Sequence, residues 1–305
     1  AVMEVTIEKK YDGMLLREFL RQELDLSRAS ITRLKQNQNG LLLNGLHVTV
    51  RAVLKTNDRL SLALEDTVED ENALLFPQDL PFQVLFEDRD ILAVDKPAGM
   101  PTHPTRGHLT DTLANGVAFR FQNTERPFVF RAINRLDRDT SGVVLIALNK
   151  AAAGKLALQM QCRKIVKTYT AVLEGCLAQD EDVVQSFIKR VSAGKMKRMN
   201  DDSGAASEYA QTRYQCVYKN QKISVVNAFP MTGRTHQLRV HFSGMGHPIC
   251  GDTLYGASVC CGGAKIERQA LHASRLEFIH PFTQKPISIE SRLPDDIQNL
   301  IEVNR

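Results

Sequence analysis

The sequence contains no tryptophan, and aromatic residues make up only 6% of its 305 positions. We therefore expect few surfaces built for stacking against base or aromatic rings. No apolar run approaches the roughly 18 residues that a membrane-spanning helix needs. The first residues also lack the pattern of a secretory signal peptide. These absences predict a protein that works in the cytoplasm without a membrane partner.

The six cysteines show no regular paired spacing, which argues against a small secreted disulfide scaffold. Cys250, Cys260 and Cys261 with His247 come nearest to a set of metal ligands. Their spacing does not match the paired Cys-x-x-Cys pattern of a zinc site. We therefore expect free thiols in a loop, no metal and a reducing compartment.

Charge is distributed unevenly along a chain whose net charge is +4. Residues 1–64 carry +3, residues 65–72 carry −5 and residues 73–305 carry +6. Two mildly basic bodies fit a polyanionic partner such as nucleic acid. The charge pattern predicts an N-terminal module over residues 1–64, an acidic linker over 65–79 and a larger domain over 80–305.

The N-terminal module is predicted to contain two helices and a small sheet. Apolar residues at helical spacing predict one helix over 14–24 and a second over 28–38. Asn44-Gly45 between two apolar runs predicts a hairpin with a type I′ turn. A further strand is predicted from Arg59 to Leu64. The result is a small α/β module.

Basic residues cluster on the second predicted helix at Arg28, Arg33 and Lys35. Such a cluster also occurs on ordinary solvated helix faces. However, the segments Leu26-Ser27-Arg28 and Leu43-Asn44-Gly45 resemble the small RNA-binding module first described in a ribosomal small-subunit protein. The resemblance implies that these three cations bind RNA, which their charge supports.

From residue 82 onward, short strands mix irregularly with helices predicted near 110–121 and 149–162. The strands are predicted at Val84–Phe86, Ile91–Val94, Val143–Ala147, Thr168–Leu173, Ile223–Phe229 and Ile287–Ser291. The order lacks a regular strand-helix repeat, so the fold class predicted is α+β, built on a mixed or antiparallel sheet.

The most informative segment places Asp137 between Arg135 and Arg138, just before a Thr-Ser-Gly turn and a buried-strand pattern. Neighbouring cations favour the ionised form of a carboxylate, which could then act as a nucleophile or base. A surface loop with Asp-Arg ion pairs would give the same pattern.

This segment, Arg135-Leu136-Asp137-Arg138-Asp139-Thr140-Ser141-Gly142, resembles the catalytic signature of the RluA-type RNA pseudouridine synthases. Segments resembling other family motifs stand before and after it in family order, covering roughly residues 80 to 295. They are Asp95 to Met100, Lys167 to Tyr169, Gly233 to His241, Gly246 to Ile249, Gly251 to Gly256, Gln269 to Ala273 and Phe278 to Pro281. Asn134 departs from the pattern, because many relatives have histidine there. We expect this change to affect only local hydrogen bonding.

The resemblance implies an isomerase that detaches uracil from ribose, turns the base and rejoins it through carbon. Asp137 would be the catalytic carboxylate, either through attack on the ribose, through attack on the base, or as a base that forms a glycal. The residues do not distinguish these routes. Nothing is oxidised and no group is lost, so no cofactor is expected.

The resemblance also assigns supporting roles around Asp137. Arg239 would pair with this carboxylate, with Arg234 as the competing assignment. Tyr169 would lie against the flipped base and assist proton movement. His236 and His241 receive no catalytic role from the resemblance, and we expect them to be structural or to face phosphate.

A base inside an RNA stem must be turned out before it can react. Arg135 would hold the gap open, and Lys96 with Arg106 would contact phosphate at the entrance. The basic stretch Lys189-Arg190 with Lys195, Lys197 and Arg198 either grips RNA or forms a solvated loop.

We therefore predict a monomeric enzyme acting on structured RNA. The N-terminal module favours large-subunit ribosomal RNA over tRNA, by analogy only. An RNA-binding protein that keeps the fold without activity is the alternative. A hydrolase using Asp137 and Asp139, or Ser141, is disfavoured because no Gly-x-Ser-x-Gly surrounds the serine.

Overall fold

A computed structural model of the protein describes residues 2–24, 26, 31–32, 34–35, 39–63, 75–105, 109–123, 128–190, 197–200 and 207–305. Several predictions from the sequence lie outside these residues. They are the acidic segment 65–72, most of the helix at 28–38, and the side chains of Arg28, Arg33, Arg106 and Lys195.

The N-terminal module forms its own antiparallel sheet. Its strands are β1 (Val2–Thr6), β2 (Leu41–Leu43), β3 (Leu46–His47) and β4 (Arg59–Ala63), in the spatial order β1-β4-β2-β3. Asn44 and Gly45 have φ of 53° and 81° between β2 and β3, which confirms the predicted hairpin.

Helical residues cover this small sheet, among them residues 31–32 and 34–35, where Ile31 and Leu34 are buried. Helix α1 (Leu16–Glu18) continues as a π-helical turn over Phe19–Glu23. Leu16, Phe19 and Leu20 are buried in the same cluster as residues of β2 and β4. The module therefore has a core of its own.

The larger body is built on one mixed sheet. Its strands are β5 (Gln83–Glu87), β6 (Ile91–Lys96), β7 (Ser141–Ala147), β8 (Val166–Glu174), β9 (Glu181–Arg190), β10 (Arg198–Asn200), β11 (Glu208–Lys219), β12 (Ile223–Pro230), β15 (Leu271–Ile279) and β16 (Pro286–Glu290). The spatial order is β10-β9-β11-β12-β8-β15-β7-β6-β5, with β16 beside β15. Pairing is antiparallel except between β15 and β7, which run parallel. A separate hairpin joins β13 (Cys260–Cys261) and β14 (Ala264–Lys265).

Helices pack on both faces of the sheet, because alternate residues of a strand point to opposite sides. The helices are α2 (Leu113–Phe121), α3 (Lys150–Gln161), α4 (Gln237–Gly244) and α5 (Asp295–Val303). On β7, Val143 and Leu145 join the core beneath α3. Val144 and Ile146 join the core that contains residues of the other three helices.

The structure confirms the α+β fold class and the strands predicted from apolar runs. It corrects the solvated-loop interpretation of the basic stretch at residues 189–190 and 198, whereas residues 191–196 lie outside the described residues. Lys189, Arg190 and Arg198 lie in paired strands of the sheet. The sequence analysis did not predict β9, β10, β11 and β15, because polar and charged residues interrupt their apolar positions and no continuous apolar run marks them.

Two further features concern the whole chain. Among the described residues, no helix has both the length and the apolar character required to cross a bilayer. The N-terminal module contacts the larger body where the Gln161 side chain at the end of α3 donates a hydrogen bond to the Glu23 carbonyl.

Candidate active site

The loop carrying Asp137 is fixed by hydrogen bonds to its backbone. The Thr102 hydroxyl accepts from the Leu136 amide at 3.1 Å and donates to its carbonyl at 3.0 Å. The Thr140 amide donates to the Asp137 carbonyl and closes a turn. Upstream, the Asn134 side chain pairs with the backbone of Val143 and Leu145 in β7. Asn134 therefore has the local structural role expected for it.

The buried Lys96 and the partly buried Arg268 donate hydrogen bonds to the backbone of the same loop. Lys96 Nζ donates to the carbonyls of Arg138, Met100 and Pro97 at 2.6–3.0 Å. Arg268 Nη1 donates to the Asp139 carbonyl at 3.1 Å. The backbone on the C-terminal side of Asp137 is thus tied to β6 and to the segment before β15.

Gly142 allows the loop to lead directly into the sheet. It has φ of 117°, and a Cβ atom there would collide with the backbone of Ala273. Gly142 pairs with Ala273 where β7 and β15 run parallel. The Thr-Ser-Gly turn after Asp137 therefore ends in a residue that only glycine suits.

Asp137 faces a guanidinium that is held by a second carboxylate. Arg239 Nη1 lies 3.4 Å from Asp137 Oδ2. Arg239 also makes a bidentate pair with Asp252, at 2.6 Å from Nε and 2.7 Å from Nη2. Burial opposes the charged guanidinium, but Asp252 outweighs it, and the pKa of Arg239 is raised. The cation beside Asp137 is therefore permanently charged and fixed in place.

His236 stands at the start of α4 in the left-handed region, with φ of 58°. Its Nε2 is 3.9 Å from Asp137 Oδ2, and its Nδ1 shares a 2.9 Å hydrogen bond with the Tyr255 hydroxyl. Burial lowers the pKa of His236, although Asp137 works in the opposite direction. The imidazole is thus favoured in its neutral form, held by Tyr255.

Tyr169 lies in β8 and contributes a buried ring to the same place. Burial raises the pKa of its hydroxyl, and the charge of Asp137 raises it further. Burial also lowers the pKa of the neighbouring Lys167. The phenol therefore keeps its proton at neutral pH and can donate a hydrogen bond.

These groups line a cavity of about 390 Å³. Asp137 retains 21% of its side-chain exposure, whereas Arg239 retains 9%. Arg135 is exposed at the rim, together with His103. The volume lies at the small end of ligand pockets. A planar ring could enter it and meet a carboxylate, a guanidinium and a phenol.

The structure corrects one predicted site residue. Lys96 is fully buried, and three carbonyls take its three N–H groups, so the predicted phosphate contact is wrong. Burial lowers the pKa of Lys96 to about 7 against the opposing charges of Asp139 and Asp137. Its place directly after a strand pattern gave no indication that its side chain points inward.

The other predicted residues lie in three places, namely the cavity, the core and the surface. Arg234 lines the cavity, but its Nη1 pairs with Glu208 at 2.8 Å, so Arg239 rather than Arg234 lies beside Asp137. His241 is buried between Thr212 and Ser186, which bond its two ring nitrogens. Lys35 is exposed in the N-terminal module.

The cysteine prediction is also corrected. Cys250 and Cys261 are joined by a disulfide, because the β13–β14 hairpin brings their Cα atoms to 5.8 Å. Cys260 is free and exposed. His247 Nδ1 faces the Glu174 carbonyl instead of these sulfurs. The expectation of free thiols is therefore wrong for two of the three cysteines.

Sequence reasoning missed three residues that organise the site. Asp252 and Tyr255 hold Arg239 and His236, and Arg268 holds the loop. Asp252 and Tyr255 stand in the segment Gly251 to Gly256, which carries family resemblance, and Arg268 directly precedes another such segment. The resemblance of those segments to the family could have indicated these residues, but the sequence does not show which group each of them contacts.

Comparison with protein families gives two matches. A family described as "RNA pseudouridylate synthase" matches residues 90–244. A second, described as "RluD ribosomal pseudouridine synthase N-terminal domain", matches residues 3–60.

Individual proteins resemble the chain over most of its length. "Uncharacterized RNA pseudouridine synthase YhcT" of Bacillus subtilis is 35% identical, covering 98% of this chain and 96% of the relative. "Ribosomal large subunit pseudouridine synthase D" of Xanthomonas campestris is 36% identical, covering 75% and 71%. Among solved structures, "Human RNA Pseudouridylate Synthase Domain Containing 1" is 26% identical with a TM-score of 0.55, covering 74% of this chain and 96% of that one.

Proposed function

The chain belongs to the RNA pseudouridylate synthase family, and on that premise we propose that it converts specific uridines of large-subunit ribosomal RNA to pseudouridine. The enzyme class, RNA pseudouridine synthase, follows from the family. The substrate class is supported by the relatives named for the ribosomal large subunit. It is also supported by the N-terminal match to a ribosomal synthase domain.

The observation that carries this proposal is the placement of Asp137 in a cavity beside Arg239 and Tyr169. The carboxylate is partly exposed, so a substrate atom can reach it. Asp137 would act on the flipped nucleotide as nucleophile or base. Arg239 orients this carboxylate, since its guanidinium is itself held by Asp252.

Tyr169 would lie against the uracil ring. Its protonated hydroxyl could donate a hydrogen bond while the base turns and carbon replaces nitrogen in the bond to ribose. The pKa of this hydroxyl is raised by burial and by Asp137, so it does not ionise at neutral pH. Tyr169 would therefore orient the base and donate a hydrogen bond to it, and would not act as a phenolate.

Arg135 at the rim would occupy the space that the flipped base leaves in the RNA stack. Its side chain is exposed and two residues before Asp137, so it can reach outward while Asp137 points inward. In the N-terminal module, Lys35 would bind phosphate together with Arg28 and Arg33. The chain would act as a monomer in the cytoplasm, where ribosomal RNA is modified.

The test is Asp137→Asn, assayed on transcribed large-subunit ribosomal RNA with pseudouridine measured by chemical derivatisation. We expect isomerisation to be abolished while RNA affinity stays within several-fold. Asp139→Asn is the matched control, because this carboxylate lies in the same loop but pairs with Arg138 at 3.1 Å. That variant should keep most of the activity.

Three outcomes would contradict parts of the proposal. Turnover by Asp137→Asn would remove the assignment of the carboxylate. Pseudouridine formed in tRNA and not in large-subunit RNA would overturn the substrate class. A wild-type protein that binds RNA without forming pseudouridine would be a silent member of the family.

A further inference from the structure

The outer face of β9 and β11 carries an exposed aromatic pair. Phe187 and Tyr209 lie opposite each other in register, with ring centroids 5.8 Å apart. Phe187 is 43% exposed and Tyr209 37% exposed. Their neighbours Ile188 and Ala210 point to the other face, where they are buried with Val240 of α4. The rings therefore face outward by strand alternation and not because the sheet lacks a core.

The same face continues on both sides of the pair. Met199 of β10 is 42% exposed and lies across from Lys189. Further along β11, Arg213 stacks its guanidinium 4.4 Å above the ring of Phe229. We call Phe187, Met199 and Tyr209 with Lys189 and Arg213 the outer aromatic face.

The backbone of β11 at this face is hydrogen-bonded to the segment that lines the catalytic cavity. Arg234 Nε donates to the Tyr209 carbonyl at 3.1 Å, and the Thr232 hydroxyl accepts from the Gln211 amide at 3.0 Å. Both Thr232 and Arg234 line the cavity. Strand β12 ends at Pro230 opposite Thr212, so the start of β11 extends past the cavity mouth by about 13 Å.

We propose that the outer aromatic face binds an unpaired RNA segment that adjoins the target nucleotide. Bases would stack on Phe187 and Tyr209. Lys189 and Arg213 lie on opposite sides of this ring pair along the strands and would meet phosphates on either side of the stacked bases. This inference rests on the proposed function. An RNA occupant is favoured because exposed rings and flanking cations share one face of the sheet, the combination with which proteins bind single-stranded nucleic acid. A purely apolar protein contact would gain nothing from the two cations.

The absence of tryptophan from the sequence provides a direct reporter. In Tyr209→Trp the only indole lies on the face. We expect its fluorescence to be quenched when a 12-nucleotide oligouridylate is added to the full-length protein. The control is Val217→Trp, which is exposed on the same strand but about 26 Å away. Its fluorescence should not change.

Affinity gives a second measurement. Phe187→Ile combined with Tyr209→Ile removes both rings but keeps strand propensity. We expect the Kd for oligouridylate to rise at least about tenfold, since base stacking on one aromatic ring contributes about fivefold or more. The Kd for a 12-base-pair RNA duplex should change less than threefold. Thermal melting of this double variant verifies that the sheet is intact.

The outcomes separate this inference from the proposed function. If the wild type forms pseudouridine but the fluorescence of Tyr209→Trp is not quenched, base stacking on this face is wrong and the proposed function stands. If the fluorescence of Tyr209→Trp is quenched but the wild type forms no pseudouridine, base stacking is supported and the proposed function is wrong. Equal quenching at both positions, or an equal loss of duplex binding, would overturn the inference. So would a dimer by sedimentation that the double variant converts to a monomer.

Discussion

At the scale of single residues, the charged side chains around Asp137 depend on one another, so that substituting any one of them is destabilising. Arg239 is shared between Asp137 and Asp252, and only 9% of its side chain is exposed. Removing one partner of a buried ion pair costs roughly 3–5 kcal/mol, because the other charge loses its compensation. The pairing that orients the carboxylate is therefore costly to break by substitution of one partner.

Substitution of Lys96 distinguishes a structural role from an RNA-binding role, because the two roles predict different effects on stability and RNA affinity. Lys96→Met should leave three buried carbonyls without a donor, at roughly 1–3 kcal/mol for each unsatisfied group. We expect lower kcat and a lower melting temperature, with RNA affinity and its salt dependence unchanged, because this side chain does not reach solvent. Titration of RNA binding against salt provides the measurement.

Lys35→Met is the matched control for that experiment, since Lys35 is exposed in the N-terminal module. Loss of one phosphate contact should make the log–log salt slope shallower by about 0.7–0.9. A similar change of slope in Lys96→Met would show that this lysine does contact phosphate.

At the scale of elements, the site depends on how α4 and the segment before β15 are attached to the sheet. Helix α4 carries Arg239 and is fixed to β9 and β11 through His241, whose ring nitrogens bond Ser186 and Thr212 at 3.0 Å. The Arg268 side chain connects the catalytic loop to α5 through Asp296. Each attachment leads to a prediction.

His241 should make stability sensitive to acid. Burial lowers its pKa to about 4, whereas the unfolded value is about 6.5. Between these values the unfolded chain holds a proton that the folded protein lacks. Stability is therefore lost as pH falls from about 6.5 to 4, by up to roughly 3 kcal/mol. Denaturant unfolding at pH 7 and pH 4.5 measures this loss.

His241→Gln provides the comparison, because an amide can bond both hydroxyls and does not titrate in this range. The variant should lose less stability between the two pH values than the wild type. Burial also lowers the pKa values of His236 and His272, so some loss remains in both proteins. Equal losses would show that His241 does not carry the effect.

Arg268 is expected to act as a positioning residue, because it touches the backbone beside Asp137 and does not line the cavity that contains Asp137. Arg268→Gln should lower kcat roughly 10- to 100-fold through misplacement of the carboxylate, with KM within threefold. Asp296→Asn should shift kcat in the same direction by less, since it loosens the bidentate pair at 2.6 and 2.9 Å but leaves the bond to Asp139. Steady-state kinetics separate the two parameters, and a rise in KM with constant kcat would refute the assignment.

At the scale of the whole molecule, chemistry and RNA affinity are expected to lie in different parts of the chain. The N-terminal module has its own sheet and core, and every residue that surrounds Asp137 lies after residue 90. The hydrogen bond from Gln161 to Glu23 joins the two parts. The module can therefore contribute to binding without touching the cavity.

Deletion of residues 1–72 should leave a folded catalytic body. We expect its turnover on large folded RNA to fall mainly through weaker binding, with a shallower salt dependence as basic contacts are lost. Binding titrations over a range of salt concentrations, together with single-turnover rates at saturating protein, measure the two effects. An unchanged salt slope would mean that the module's basic residues face solvent, and an insoluble product would mean that the module is part of the catalytic core.

The sequence by itself determined the fold class, most strands of the larger body and the loop that carries Asp137. Buried strands of a mixed sheet leave continuous apolar runs, as in residues 143–147, and a tight turn leaves Asn44-Gly45. These signals are local, so they can be recognised without knowing which other segments pack against them. Strands β9 and β11 left no such run, because only one of their faces is buried and polar residues alternate with apolar ones along them.

Only the tertiary structure decided which distant groups meet. Arg239 and Asp252 are 13 positions apart, Arg239 and Asp137 are 102 apart, and both pairs form because α4 packs at the end of the sheet. The inward turn of Lys96, the Cys250–Cys261 bond and the exposed pair of Phe187 and Tyr209 likewise depend on strand neighbours. Local sequence fixes the conformation of a segment, but the environment of a side chain depends on what packs against it.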